Sequence, residues 1–196
     1  LADIRSDPSR PREEQARDVF LRMERALEGA GMGFGDVVRT WLYIDDILAW
    51  YGAFNAARTA FFAERKVFDG LVPASTGIGS PNPAGAAVAA GALAVRPKDG
   101  SVRAAAVPSP LQCPAPAYGS SFSRAVEIAG SGWRRLLVSG TASIAPGGAS
   151  VHPGDVRKQA DLTLDVVGAI LESRGMGWND ATRAIAYVRH RADVPV

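Results

Sequence analysis

Three side chains in the segment "YGSSFSRA" (118–125) have the chemistry to hold a small anion. The hydroxyl of Tyr118 can donate a hydrogen bond, and the guanidinium of Arg124 can pair with a carboxylate. Phe122 lies between them in the sequence. The alternative for Arg124 is a solvated position on a strand. The segment therefore predicts a carboxylate-binding site and leaves the substrate open.

A second candidate segment is "SGTAS" (139–143), at the end of a predicted strand. Gly140 and Ala142 allow main-chain donors to approach a ligand closely, as a dianionic substrate requires. Thr141 and Ser143 are the other small residues of the segment. The alternative is that these small residues pack beneath a helix. We treat all four as candidate binding residues.

The other reactive residue types do not form a catalytic set. His152 and His190 have no Cys/His cluster around them, so no metal site is predicted. Cys113 is the single cysteine and has no sequence neighbour that would activate its thiol. A lone cysteine also suits a reducing cytoplasm. The catalytic residues are therefore unknown at this stage, and no cofactor is expected.

Composition excludes several classes of protein. The chain has 196 residues, of which 47% are hydrophobic and 21% charged, as in an ordinary globular protein. The net charge is +2 and basic residues form no stripe, so a nucleic-acid surface is not predicted. No apolar run approaches the length of a membrane span, so no membrane partner is expected. The polar start has no signal-peptide core and no initiating Met.

Helical spacing of apolar residues, β-branched runs and Gly/Pro stops predict the elements that position these segments. They are helix 11–28, strand 36–44, helix 47–65, strands 73–79 and 87–96, a strand in 101–107 forming a hairpin with 87–96, a hairpin in 124–140, helix 154–173 and strand 181–188. The Pro-rich stretch at 108–116 is predicted to be a linker.

One helix–strand unit occurs twice in the sequence. Residues 15–44 and 159–188 align without a gap and share ten identities in thirty positions. The repeat predicts an α+β fold of two tandem domains, each a mixed β-sheet with helices packed on one face. The rival is a rearranged single domain in which hairpin 117–152 completes the first copy, at the cost of unpaired strand edges.

The expected domains are 1–107, linker 108–116 and 117–196. The second copy has a hairpin before its helix, and the first copy has no equivalent. The first copy has a helix and strands after its strand, and the second copy has no equivalent. We therefore expect the first domain to lack its first hairpin, and the second to be truncated before its second helix and last strands. The 196 residues are expected to be a piece of a longer chain.

The two copies resemble the RidA (YjgF) superfamily, through the glycine stop followed by "DVVRTWLYI" and "DATRAIAYV". That resemblance implies a trimer with ligand sites between subunits. The tandem arrangement, with "PASTGIG" and "SGTASI", is similar to the chorismatases, which have a degenerate first domain and an active second one. These enzymes release pyruvate from chorismate and leave a hydroxybenzoate or a dihydroxycyclohexadiene carboxylate.

The resemblance also assigns roles. The family's carboxylate-binding arginine and its glutamate are replaced in the first copy by Ser75 and about Gly91, so that copy is expected to be a scaffold. Tyr118, Phe122, Arg124 and the "SGTAS" segment match parts that line the ligand pocket. The family's general acid is a glutamate that would follow Val196. The segment after Gly119 is shorter than in chorismatases, which leaves the substrate in doubt.

Two other functions remain open: a RidA-type imine or enamine deaminase, and a non-catalytic RidA-like binding module. In each case we expect a small anionic carboxylate ligand, a homotrimer, a cytoplasmic location, and neither nucleic-acid nor membrane partners.

Overall fold

The local patterns of the sequence are realised as seven strands and three helices in the computed structural model, which describes residues 1–194. The strands are β1 Ile4–Arg5, β2 Val37–Ile44, β3 Ala74–Gly79, β4 Val88–Ala94, β5 Arg103–Val107, β6 Ala125–Gly130 and β7 Trp133–Val138. The helices are α1 Arg12–Gly29, α2 Ile47–Glu64 and α3 Val156–Glu172. None of these helices is long and apolar enough to cross a bilayer.

The strands form two sheets. In the first, the order is β1-β4-β2-β3, with β2 parallel to β3 and antiparallel to β4. In the second, the order is β5-β6-β7 and both pairs are antiparallel. The predicted α+β fold, with helices on one face of each sheet, is confirmed.

Alternating side chains give each sheet a helix-covered face and a face that meets the other sheet. Helices α1 and α2 and the turn after α1 cover the first sheet with an aromatic cluster of Phe20, Phe34, Phe61 and Phe62. Helix α3 covers the second sheet through Val166 and Ile170. The opposite faces of the two sheets pack on each other through Val38, Ala74, Val126 and Ile128. The two sheets thus lie back to back, with their helices outside.

The hairpin predicted between 87–96 and 101–107 is wrong. β5 pairs with β6, with Val107 opposite Ala125. The reason is that both edges of β4 are already occupied, by β1 on one side and β2 on the other. The predicted linker therefore joins two strands of the second sheet. The domain boundaries at 107 and 117 stay a prediction.

The strand predicted at 181–188 is also wrong. Among residues 1–194 this segment has no hydrogen-bonded neighbour strand, and its residues are exposed. A strand needs a partner for its backbone groups, whatever its local propensity. The turn before it does repeat: the N–H of Gly33 donates to Asp36 at 2.9 Å, and that of Gly177 donates to Asp180 at 2.8 Å.

Candidate anion-binding site between the two sheets

The side chains of Tyr118, Phe122 and Arg124 come together where a loop enters β6. The Arg124 guanidinium carbon lies 5.3 Å from the centre of the Tyr118 ring and 5.6 Å from that of Phe122. Arg124 is buried, and its Nε and Nη2 donate to the carbonyl oxygen of Cys113 at 3.0 and 2.7 Å. This backbone anchor fixes the guanidinium between the two rings and does not neutralise its charge.

The "SGTAS" loop is attached to both halves of the molecule. The N–H of Gly140 donates to the carbonyl oxygen of Ser75 at 2.9 Å, and the N–H of Ser75 donates to the hydroxyl of Ser139 at 2.9 Å. The N–H of Ser139 donates to the carbonyl oxygen of Arg124 at 2.9 Å. The loop and the Arg124 cluster are therefore held in one network, and Ser75 of the first sheet takes part in it through its backbone.

The four candidate residues of this loop differ in what they offer. Gly140 and Ala142 are exposed residues, but the Gly140 N–H already donates to Ser75 and the Ala142 carbonyl oxygen accepts from Gln112 at 3.3 Å. Thr141 donates its hydroxyl to the Ser139 carbonyl at 3.0 Å. Ser143 is buried and its hydroxyl contacts the carbonyl oxygen of Val151 at 3.1 Å and His152 Nδ1 at 3.0 Å. The hydroxyls of Thr141 and Ser143 thus serve to shape the loop.

Sequence reasoning missed Arg58, which lies on α2 and contacts the same loop. Its guanidinium carbon is 5.8 Å from the centre of the Phe122 ring, on which Arg124 also packs. The neighbouring hydroxyl pair, Thr59 and Ser121, is 2.7 Å apart and joins α2 to the loop. The available signal was a lone arginine in the apolar helical run "FNAARTAFF" (54–62).

These arginines are buried without carboxylate partners. Arg58 is 2% exposed and Arg124 is 6% exposed. Within residues 1–194, neither forms an ion pair. Burial disfavours the charged form of each group. It therefore lowers the pKa of Arg58 and raises the pKa of Tyr118. A buried cation without a counter-ion is costly, so this cluster is suited to receiving an anion.

A third buried arginine, Arg39, lies on the inner face of β2 at the other side of the "SGTAS" loop. Its Nη2 donates to the hydroxyl of Thr76, which in turn packs against Gly140. Burial lowers the pKa of Arg39 to about 10. Its repeat equivalent, Arg183, is exposed, so the two arginines do not share an environment.

The remaining sequence candidates lie apart from this chemistry or only support it. His152 supports the loop through Ser143, and His190 is exposed. Cys113 contributes its backbone carbonyl to Arg124. In the described part of the chain, no group of His, Cys, Asp and Glu side chains is arranged to hold a metal ion.

Comparisons with known proteins agree with this architecture. The family described as endoribonuclease L-PSP matches residues 9–107. A chorismatase from Streptomyces rapamycinicus is 30% identical over 185 residues, which are 83% of this chain and 54% of the relative. A chorismatase crystal structure at 1.08 Å resolution is 23% identical, with a TM-score of 0.75 over 98% of this chain and 62% of that one.

The chain thus spans about half the length of the curated relative that it matches. The crystal structure shows that the fold of the whole described chain is shared with a chorismatase. On the match that covers residues 9–107, the chain belongs to the endoribonuclease L-PSP (RidA) family.

Proposed function

We propose that the protein is a chorismatase-like enzyme that releases pyruvate from chorismate. The product would be a hydroxybenzoate or a dihydroxycyclohexadiene carboxylate. The observation that carries the proposal is the cluster of Tyr118, Phe122 and Arg124, a buried cation without a carboxylate partner in residues 1–194, in a chain 30% identical to a chorismatase. Chorismate presents two carboxylates and a ring, which suit guanidinium groups and aromatic faces.

The chemistry of the proposed reaction is the cleavage of an enol ether. A general acid protonates the terminal methylene carbon, which becomes the methyl group of pyruvate and leaves an oxocarbenium ion. Water captures this ion and loses a proton to give a hemiketal, whose bond to the ring oxygen then breaks to leave pyruvate and the dihydroxycyclohexadiene carboxylate. Alternatively, the neighbouring hydroxyl of the substrate loses its proton and captures the ion as a cyclic ketal. One ring C–O bond and the remaining ketal C–O bond then break with loss of a ring proton, which gives pyruvate and a hydroxybenzoate. Arg124 and Tyr118 would bind a carboxylate and hold the ether in one orientation.

The general acid is not assigned to a described residue. None of the contacts of Tyr118, Phe122 and Arg124 within residues 1–194 is with a carboxylic acid. We propose that the acid is the glutamate implied by the family resemblance, outside these residues. A raised pKa from an apolar site would keep it protonated at neutral pH.

The experiment is an assay of pyruvate in a mixture of the protein and chorismate. Full-length wild-type protein should release pyruvate, and Arg124→Lys should lower kcat/KM by about tenfold or more, because lysine lacks the planar fork. Arg135→Lys, an exposed change on β7, is the matched control. No pyruvate above buffer, or ammonia from an imine substrate instead, would contradict the proposal.

The proposed assembly is a homotrimer, as the family resemblance implies. Light scattering on the purified protein should then give three times the protomer mass. A monomer at all concentrations would exclude ligand sites between subunits and leave only sites within one chain.

A further inference from the structure

Arg58 is the most completely buried cation that the proposed reaction does not yet use. It lies on α2, in the half of the molecule expected to be a scaffold. Its Nη2 donates to Asn55 Oδ1 at 2.7 Å, and its Nε is buried without any hydrogen-bond partner among the described residues. Two aromatic rings, Phe54 and Phe122, each lie 5.8 Å from its guanidinium carbon. A neutral amide and two rings satisfy this charge only in part.

Arg58 and Arg124 approach the same ring from the two halves of the molecule. Both guanidinium carbons lie within 5.8 Å of the centre of Phe122. Two like charges in a shared low-dielectric environment repel each other, and neither has a carboxylate partner within residues 1–194. A ligand with two carboxylates would relieve both charges at once, whereas a monoanion would relieve one.

The geometry points to Arg58 as a second carboxylate-binding residue of the proposed active site. In this arrangement Arg124 binds one carboxylate of a dicarboxylate substrate and Arg58 binds the other. Phe122 is partly exposed and both guanidinium groups lie beside its ring, so the two proposed carboxylate positions are next to each other. This inference deepens the proposed function and rests on it for the identity of the substrate.

The consequence is that the first half of the chain is not only a scaffold. Its Ser75 lacks the charge of the family's arginine, and its own hydroxyl accepts a hydrogen bond from Thr40 at 2.8 Å. Helix α2 instead supplies a cation to the pocket beside β6. Selectivity for two carboxylates would therefore depend on contact between the two halves.

The test measures binding, not turnover, with two small probes. Isothermal titration compares isophthalate, which carries two carboxylates on one ring, with benzoate, which carries one. Wild-type protein should bind isophthalate about tenfold or more tightly than benzoate, the difference typical of one additional charged hydrogen-bonded pair. Arg58→Met should remove this preference, because isophthalate then has one guanidinium partner, as benzoate does. Arg25→Met, an exposed change on α1, should keep the preference.

A second variant serves if Arg58→Met does not fold. Asn55→Asp places a carboxylate at the atom that already accepts from Arg58, and so supplies an internal counter-ion. It should remove the isophthalate preference without removing the arginine. An unchanged preference in either folded variant, or no isophthalate preference in wild type, overturns the inference. If the protein releases pyruvate but its isophthalate preference does not depend on Arg58, the proposed function stands and this inference fails. If the preference depends on Arg58 but no pyruvate is released, the dicarboxylate-binding site stands and the proposed function fails.

Discussion

At the scale of single residues, Gly140 lies at a close contact between the two halves. A Cβ added there would lie 2.8 Å from Thr76 Cγ2 and 3.3 Å from Thr76 Cα. The same residue donates its N–H to Ser75 at 2.9 Å. The absence of a side chain therefore lets the "SGTAS" loop dock on β3, and its place in the network makes it sensitive to substitution.

We expect Gly140→Ala to lower the free energy of unfolding by about 1–3 kcal/mol, the usual cost of overpacking. Thr76→Ser removes the methyl group that the new Cβ would meet, and keeps the hydroxyl that accepts from Arg39. The double variant should therefore recover part of the loss relative to Gly140→Ala. Urea unfolding of the two single variants and the double variant gives the coupling energy. Strictly additive effects would contradict the contact.

The sequence predicts the local part of the candidate site and misses the distant part. Tyr118, Phe122 and Arg124 lie within seven residues, so their types alone suggest a common site, and they do lie together. Arg58 lies about sixty residues earlier. Its position beside Phe122 depends on how α2 packs against the loop before β6, which no local pattern contains.

At the scale of elements, the two copies end their first helix in the same way and use it differently. The N–H of Met32 donates to the Leu27 carbonyl at 2.9 Å, and that of Met176 donates to Leu171 at 3.0 Å. Each ending is followed by a short 3₁₀ turn. Helix α1 is covered by α2, whereas Leu164 on the outer face of α3 and Trp178 in the turn after it are exposed within residues 1–194.

This difference predicts unequal costs at equivalent positions of the repeat. Phe20 is fully buried against Phe61 and Phe62, so Phe20→Ala should cost about 3–5 kcal/mol. Leu164 occupies the equivalent position on α3 and is 52% exposed, so Leu164→Ala should change stability by about 0.5 kcal/mol or less. Equilibrium unfolding in urea measures both. A large loss for Leu164→Ala would mean that the outer face of α3 is covered in the protein.

A second prediction at this scale concerns how the end of α3 is attached to β6. Arg174 donates to both carboxylate oxygens of Glu127, at 3.0 and 2.8 Å, and these bonds hold the pKa of Glu127 below its usual value. A depressed pKa in the folded state gives stability that is present above the unfolded pKa, about 4.3, and is lost as pH falls through the folded pKa.

Glu127→Gln should therefore destabilise the protein at pH 7, and its difference from wild type should shrink as the pH approaches 3. Thermal unfolding at several pH values measures this. Glu172→Gln, an exposed change at the end of the same helix, is the control and should show no such trend. A pH-independent loss in Glu127→Gln would contradict the ion pair as its cause.

Most helices and strands could be predicted because their periodicity is local. The two wrong predictions both concern which strands pair. Strand 103–107 has the expected pattern, but its partner is decided by which sheet edge is free. Residues 181–188 have the composition of a strand, yet none of residues 1–194 pairs with them. β1 is too short and polar to be predicted, and it forms by pairing with β4.

At the scale of the whole molecule, two sheets pack back to back and the candidate site lies where their loops meet. The network from Ser75 through Gly140 and Ser139 to Arg124 crosses this junction, as does the contact of Arg58 with Phe122. Substrate recognition, in our account, is a property of the junction between the two halves.

The most direct test is a crystal structure of the protein with a bound hydroxybenzoate, the class of aromatic product in the proposed reaction. We predict that its carboxylate lies within hydrogen-bond distance of Arg124, about 3 Å, with its ring beside Phe122 or Tyr118. A ligand bound only elsewhere, for example in the groove lined by Leu164 of α3 and by Trp178 of the turn after it, would contradict the account.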